Sequence, residues 1–548
     1  GTIAGYYNVT GTNNTYLGSK AGLGASGQSH TGNTAVGADA LTAVTTGGYN
    51  VAIGNSAGKA LTTGGNNVFL GGNAGFATVD VDKAVILGNS AAVSNMTSDA
   101  DGTIAVGFDC LSLLTTGRYN TAIGFEALST TTETDQNTAI GYQAMKVASG
   151  SAGDLRGTAV GFRSLLSMTS GYGNTSVGAQ SGLVLTTGGH NTLLGMNSGT
   201  ELTTASGSVY IGSGAGQANT TGNQNIAIGY DAMGGPITTG DNNIAIGVSA
   251  GDALTSGKNN LVVGKDAGGA INSGGSNTII GHSAGDALTT GNDNTLVGTA
   301  AGGATIDSHH HVLIGYGAGG TGDIANNGAT AVGYQALTAL TSGAGNTAVG
   351  YQAGAALTTG PNNTILGYGA MDAADGTEEG NVAIGVNSMG AVDEVALAAN
   401  YNVAIGVIAL NGGAVGSSEL SKNVAIGSYA ISTTGTNPQI GTVAVGYSAL
   451  AALTTGDKNL AIGYEAQKDQ TTGNRNTVIG YRAMYTADGG EDYNTVIGSE
   501  AGYYIDNDAS HDNVLIGKNA LQGGSGTILA NIAIGSGTMN GVASNSQT

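Results

Sequence analysis

The sequence predicts an all-β fold, a parallel β-solenoid of about 30 repeats on a 17-residue basic period. Three observations carry this. A five-residue phrase, Asn50-Val51-Ala52-Ile53-Gly54 in one copy, returns along the chain and closes on a glycine 30 times, from Gly18 to Gly535. Of the 29 intervals between those glycines, 17 are 17 residues long and none is shorter. The residue before the glycine is Ile, Leu or Val in every copy, and the residue two positions earlier is β-branched except at Leu261 and Leu460, which is strand composition.

Each part of the repeat has a physical reason. The phrase opens on Asn in 23 of 30 copies, among them Asn33, Asn50, Asn67, Asn120, Asn225, Asn346, Asn402 and Asn476. Asn tolerates left-handed backbone and bonds neighbouring amides, so it suits a corner entering a strand, and stacked copies can form an amide ladder. The pre-glycine residues, including Val36, Ile53, Leu70, Ile123, Ile140, Ile228, Ile246, Ile280, Ile384, Ile462 and Ile534, form the expected inward core. The residue between, most often Ala, then faces away and needs another chain or layer to cover it. Three residues after each glycine stands a small residue, usually Ala, with Cys110 as a buried stand-in. The repeat ends on runs such as Leu61-Thr62-Thr63-Gly64, read as a second short extended segment and a turn.

A 17-residue unit of this kind cannot bury its own apolar edge, so stability must come from stacking. At ordinary strand spacing the array would extend about 140 Å. Helix is disfavoured by 100 glycines in 548 residues and by the β-branched phrase. Residues 1–535 read as one continuous array, more irregular and loop-bearing at 385–446, and 536–548 as an exit segment. Insertions at 385–446 carry Asp393, Glu394, Glu419 and Lys422, which are candidate binding-loop residues because loops on a rigid scaffold carry recognition. Two later irregular corners contain Gly489-Gly490-Glu491-Asp492 and Asp506-Asn507-Asp508.

Composition narrows the function. A net charge of −21 disfavours nucleic acid, and no apolar run approaches a membrane span. One cysteine leaves no disulfide framework. No nucleophile elbow, zinc spacing or phosphate loop is present, so the chain is read as not an enzyme and as needing no cofactor. The run His309-His310-His311 is the local oddity: in a three-fold assembly His309 and His311 would give six imidazoles for a transition metal on the axis, against the plainer reading of a polar corner. Tyr often follows the phrase glycine, as at Tyr334, Tyr351 and Tyr464, and such a column either covers an apolar seam or stacks on sugars. Regular threonines also raise ice binding, but Thr62 and Thr63 are adjacent in a turn, where a flat face would want every second residue.

Copies such as Asn346-Thr347-Ala348-Val349-Gly350-Tyr351-Gln352-Ala353, followed by Leu357-Thr358-Thr359-Gly360, resemble repeats of phage and bacterial tail-fibre-domain proteins, many of which end in an endosialidase-type intramolecular chaperone. The strand part, Asn402-Val403-Ala404-Ile405-Gly406, also resembles the head repeats of trimeric autotransporter adhesins, left-handed parallel β-rolls with a shorter repeat. The resemblance covers essentially the whole chain. It implies a homotrimeric fibre shaft in a virion tail fibre that mediates host attachment, with other fibre or baseplate proteins and a host surface receptor, such as a glycan, as partners. The alternative is a bacterial cell-surface adhesin or extracellular filament, and the enzymatic one a polysaccharide-cleaving tailspike.

Overall fold

The computed structural model describes residues 1–148, 155–320, 322–325, 327–374, 376–391, 399–412, 419–434, 439–507, 509–524 and 526–540. Two compact units divide the chain, Gly1–Ser273 and Gly274–Thr548. Each is a parallel β-solenoid. In the first unit fifteen three-residue strands run from Thr15–Leu17 to Leu261–Val263; in the second, fifteen more run from Thr278–Ile280 to Ile532–Ile534. Each of these thirty strands falls on the three residues before a phrase glycine. Within each unit neighbours pair parallel and in register, so that Ala35 lies against Ala52 and Ala52 against Phe69.

The three-residue strand inverts the expected facing. Its middle residue is the one turned inward: Ala52, Phe69, Ile86, Ala122, Leu193 and Tyr210 are fully buried. The expected core residues Val36, Ile53, Leu70, Ile123, Ile140, Ile228, Ile246, Ile280, Ile384, Ile462 and Ile534 lie on the outer face; Ile53 is 39% exposed and Ile534 65%. The reason is strand alternation combined with a narrow lumen. A coil of 17 residues leaves room for one inward strand side chain, the small residue three after the glycine (Ala57), a leucine from the return run (Leu61) and the corner Asn (Asn50), all fully buried. The two flanking strand residues have no place inside.

Among the described residues the expected second extended run is missing from the regular coils and forms only as two-residue ladders, Leu420–Ser421 with Gln439–Ile440 and Tyr504–Ile505 with Gly523–Gly524. After the glycine the chain takes tight turns in which left-handed residues alternate with others, as at Ser56 (φ 59°) and Gly58 (φ 57°). The amides of this stretch bond to neighbouring coils instead of within a strand ladder: Ser56 N donates to Ala38 O at 2.8 Å and Gly58 N to Ala74 O at 2.9 Å. The phrase glycine is required twice over. Gly54 has φ 141°, and a Cβ there would stand 2.3 Å from the carbonyl oxygen of Gly71 in the next coil.

The lumen is filled by exchange of volume inside each coil. Where the inward strand residue is large, the residue six later is commonly glycine, as with Leu193 and Gly199, Tyr210 and Gly216, and Leu313 and Gly319, although Ile365 with Met371 and Leu515 with Leu521 depart from this. Where it is Ala, that later residue is commonly large, as with Ala105 and Leu111, Ala122 and Leu128, Ala139 and Met145, and Ala227 and Met233. Interiors pack at crystal-like density, so this compensation keeps the array regular while its sequence varies.

In the second unit the lengthened coils carry a short ladder of their own, Leu420–Ser421 against Gln439–Ile440. Of the candidate loop residues, Glu419 and Lys422 flank that ladder, while Asp393 and Glu394 lie outside the described residues. The coil also continues past its expected end at Gly535: Gly537 N donates to Lys518 O at 2.9 Å and Leu521 N to Thr538 O at 2.8 Å.

Candidate interaction surface

The corner asparagines show how the array is locked. Asn67 Nδ2 donates to Oδ1 of Asn50 in the preceding coil at 3.0 Å and to the carbonyl of Val81 at 2.7 Å, while its own Oδ1 accepts from the backbone N of Ala84 at 2.8 Å. The same relay joins Asn120 to Asn137, Asn225 to Asn243, Asn346 to Asn363, Asn402 to Asn423 and Asn476 to Asn494. These side chains are buried, so each satisfies backbone groups that water cannot reach. The left-handed residue at the corner is the one before the Asn, Tyr49 (φ 59°) or Asn66 (φ 60°), so the Asn acts through its side chain.

A second relay runs outside the first in the opposite sense. Ser206 N donates to Asn223 Oδ1 at 2.9 Å and Asn223 N to Asp241 Oδ1 at 2.9 Å; elsewhere Ile440 N, Asp457 N and Asn474 N donate in turn to Asp457, Asn474 and Asp492.

Both relays take in the histidine run. His309 Nδ1 accepts from Asn292 N at 2.8 Å in the outer relay, and His311 Nδ1 accepts from Ala329 N at 3.1 Å in the inner one. His311 is fully buried inside its own coil, and burial pushes its imidazole down to about 4. An axial metal site built from His309 and His311 is therefore not what this corner forms: one ring faces the lumen and the other the outer flank. No group of three or more metal-ligating side chains occurs among the described residues. Cys110 fills the small-residue position as expected, fully buried with Sγ 3.2 Å from Ala122 O, and its thiol is pushed up to about 12 by burial.

What each unit presents outward is the strand face. Two columns of side chains run along it: one of Thr, Val or Ile, with Leu261 and Leu460, from the first strand position, and the Ile, Leu or Val column from the third. Leu194 is 45% exposed, and Leu70, Ile123, Ile140, Ile246, Ile280 and Ile462 are similar. The third-position column thus forms an apolar strip along the outer face of each unit. Sequence reasoning found these residues and gave them the wrong side; the signal that would have corrected it is the volume exchange between the middle strand residue and the residue six later.

Beside this face stand aromatic columns. Phe108, Phe125, Tyr142 and Phe162 stack with ring centroids 5.4, 5.2 and 5.3 Å apart and planes within 12°. Tyr316, Tyr334, Tyr351 and Tyr368 do the same at 5.3, 5.0 and 4.9 Å, and Tyr447, Tyr464 and Tyr481 at 5.3 and 5.6 Å. Inner members have a ring against each face, which leaves their edges and hydroxyls outward and offers no open platform to a sugar. The return-run threonines are engaged likewise, Thr45 Oγ1 with Thr62 O at 3.0 Å and Thr62 Oγ1 with Val79 O at 3.1 Å.

Compared with models of known protein families and with curated proteins, the chain matches none. No helix among the described residues is long and apolar enough to cross a membrane.

Proposed function

We propose that this chain is the shaft of a homotrimeric fibre, most simply a virion tail fibre that holds a host-attachment tip away from its particle. The observation that supports it is the outer strand face: β-branched and aliphatic columns partly exposed in a single chain, repeated coil after coil, which a second and third copy of the same chain would cover in register. Identical repeats on each copy let the same pair of columns meet in coil after coil around a three-fold axis. The stacked aromatic columns beside it then close the seam between copies, with their hydroxyls left wet. The work of the molecule on this reading is mechanical, and no catalytic residue or cofactor is assigned. Its partners would be copies of itself, adjoining fibre or baseplate proteins and a host receptor. A bacterial surface adhesin uses the same physics and is the second reading, favoured by the likeness of the strand phrase to adhesin heads. Native mass measurement tests the proposal directly: three chains per particle are expected, and a monomer at micromolar concentration would defeat it.

A further inference from the structure

The outer relay changes at one corner of the second unit. It runs Ile440, Asp457, Asn474 to Asp492; at the next coil His511 turns its Nδ1 to Oδ2 of its own neighbour Asp512, 2.8 Å away. A concavity of about 410 Å³ opens there, lined by Gly490, Asp492, Tyr493, His511 and Asp512. Both adjoining coils are lengthened, the phrase glycines standing 18 residues apart from Gly480 to Gly498 and 19 from Gly498 to Gly517.

The corner is held from beneath. Glu491 is fully buried, and its carboxylate accepts from Gly489 N at 3.3 Å, Gln470 Nε2 at 3.2 Å and Asn507 N at 3.1 Å, tying the two lengthened loops to the preceding coil. Tyr493 is fixed as well. Arg475 lies over its ring, 5.3 Å from the centroid, and donates Nη1 to its hydroxyl oxygen at 2.5 Å, so the phenol proton is left to point elsewhere.

We infer that this corner is a saccharide-binding site for one neutral or amino hexose unit of a surface glycan. The volume is that of a small-ligand pocket. A half-exposed tyrosine supplies an aromatic wall and a hydroxyl donor, and the carboxylates of Asp492 and Asp512 supply acceptors for sugar hydroxyls or an amine. The same two carboxylates oppose an acidic sugar and outnumber the cation at the corner, Arg475 over Tyr493. The choice of a glycan rests on reading the chain as an attachment fibre; the geometry of the site does not.

The test is saturation-transfer NMR on the full chain with glucose, galactose, N-acetylglucosamine and glucosamine, and with N-acetylneuraminic acid as the acidic probe. Transfer to ring protons of at least one neutral or amino hexose is expected, with none to the acidic sugar. Tyr493→Ala and Asp512→Asn should each weaken binding at least tenfold with an unchanged circular dichroism spectrum, whereas Tyr119→Ala, at the equivalent position of another coil, should leave it intact. Silence from all four hexoses, equal uptake of the acidic sugar, or full binding by both site variants would overturn the inference. Chain stoichiometry measured on the same sample separates the two readings. A trimer without sugar uptake removes this site alone, and a sugar-binding monomer removes the trimer alone.

Discussion

Phe69 and Gly75 occupy one volume. A Cβ on Gly75 would stand 2.5 Å from Cδ1 of the Phe69 ring, in a lumen where Phe69 is fully buried. Three coils on, Ala122 and Leu128 divide the same space the other way, and Leu128 takes φ 51° where Gly75 has 59°. The pair should therefore be exchangeable as a unit. Phe69→Ala is expected to cost about 3–5 kcal/mol through its cavity, and Gly75→Leu to be unfoldable locally against the ring. The double variant should recover most of the loss, so that the coupling in a double-mutant cycle exceeds about 2 kcal/mol. Amide exchange across residues 60–90 reads this out; strict additivity would contradict the volume exchange.

Inward and outward strand residues should separate stability from association. Ala52→Asp buries an unpaired charge and should open its coil and both neighbours to exchange. Ile53→Asp sits on the outer face and should leave exchange nearly unchanged, while dispersing the proposed trimer in sedimentation. If Ile53→Asp unfolded the coil as readily as Ala52→Asp, the facing described above would be wrong.

The asparagine relay predicts a graded series. Asn67→Ala strips the partners from Val81 O and Ala84 N, two buried backbone groups, and should destabilise its corner by about 3 kcal/mol. Asn67→Ser should lie between, since Ser208 already serves one coil by accepting from Asn225 N at 3.3 Å. Local protection factors measured for all three proteins check the order.

His311 makes its corner sensitive to acid. Its folded value is pushed from 6.5 to about 4 by burial, so between those values the unfolded chain binds a proton that the folded one does not. Stability is full above about pH 6.5 and is lost as pH falls towards 4, by roughly 3 kcal/mol. His30, also lowered by burial, acts in the same direction in the first unit. Protection factors of the amides at Val312–Ile314, which take out the intrinsic pH dependence of exchange, should fall over that pH range in the parent, and His311→Asn, which restores the usual corner residue, should flatten the profile.

The period, the strand positions, the corner and the demand for stacking are legible in the residues alone. A glycine that must take φ near 140° under the next coil, and an Asn that must satisfy buried amides, leave marks that recur wherever the backbone does. Which side of the strand is inside was decided only by the tertiary structure. Ile53 and Ala52 are both apolar, and alternation says that they face opposite ways without saying which way is in. The lumen settled it, because a 17-residue coil encloses Ala52 with Asn50, Ala57 and Leu61 and leaves the two flanking strand residues outside. The histidine run went the same way. His309 and His311 were visible as an oddity, yet only the coil's closure put one ring in each of two relays that run in opposite senses, where each imidazole does the work of an amide oxygen.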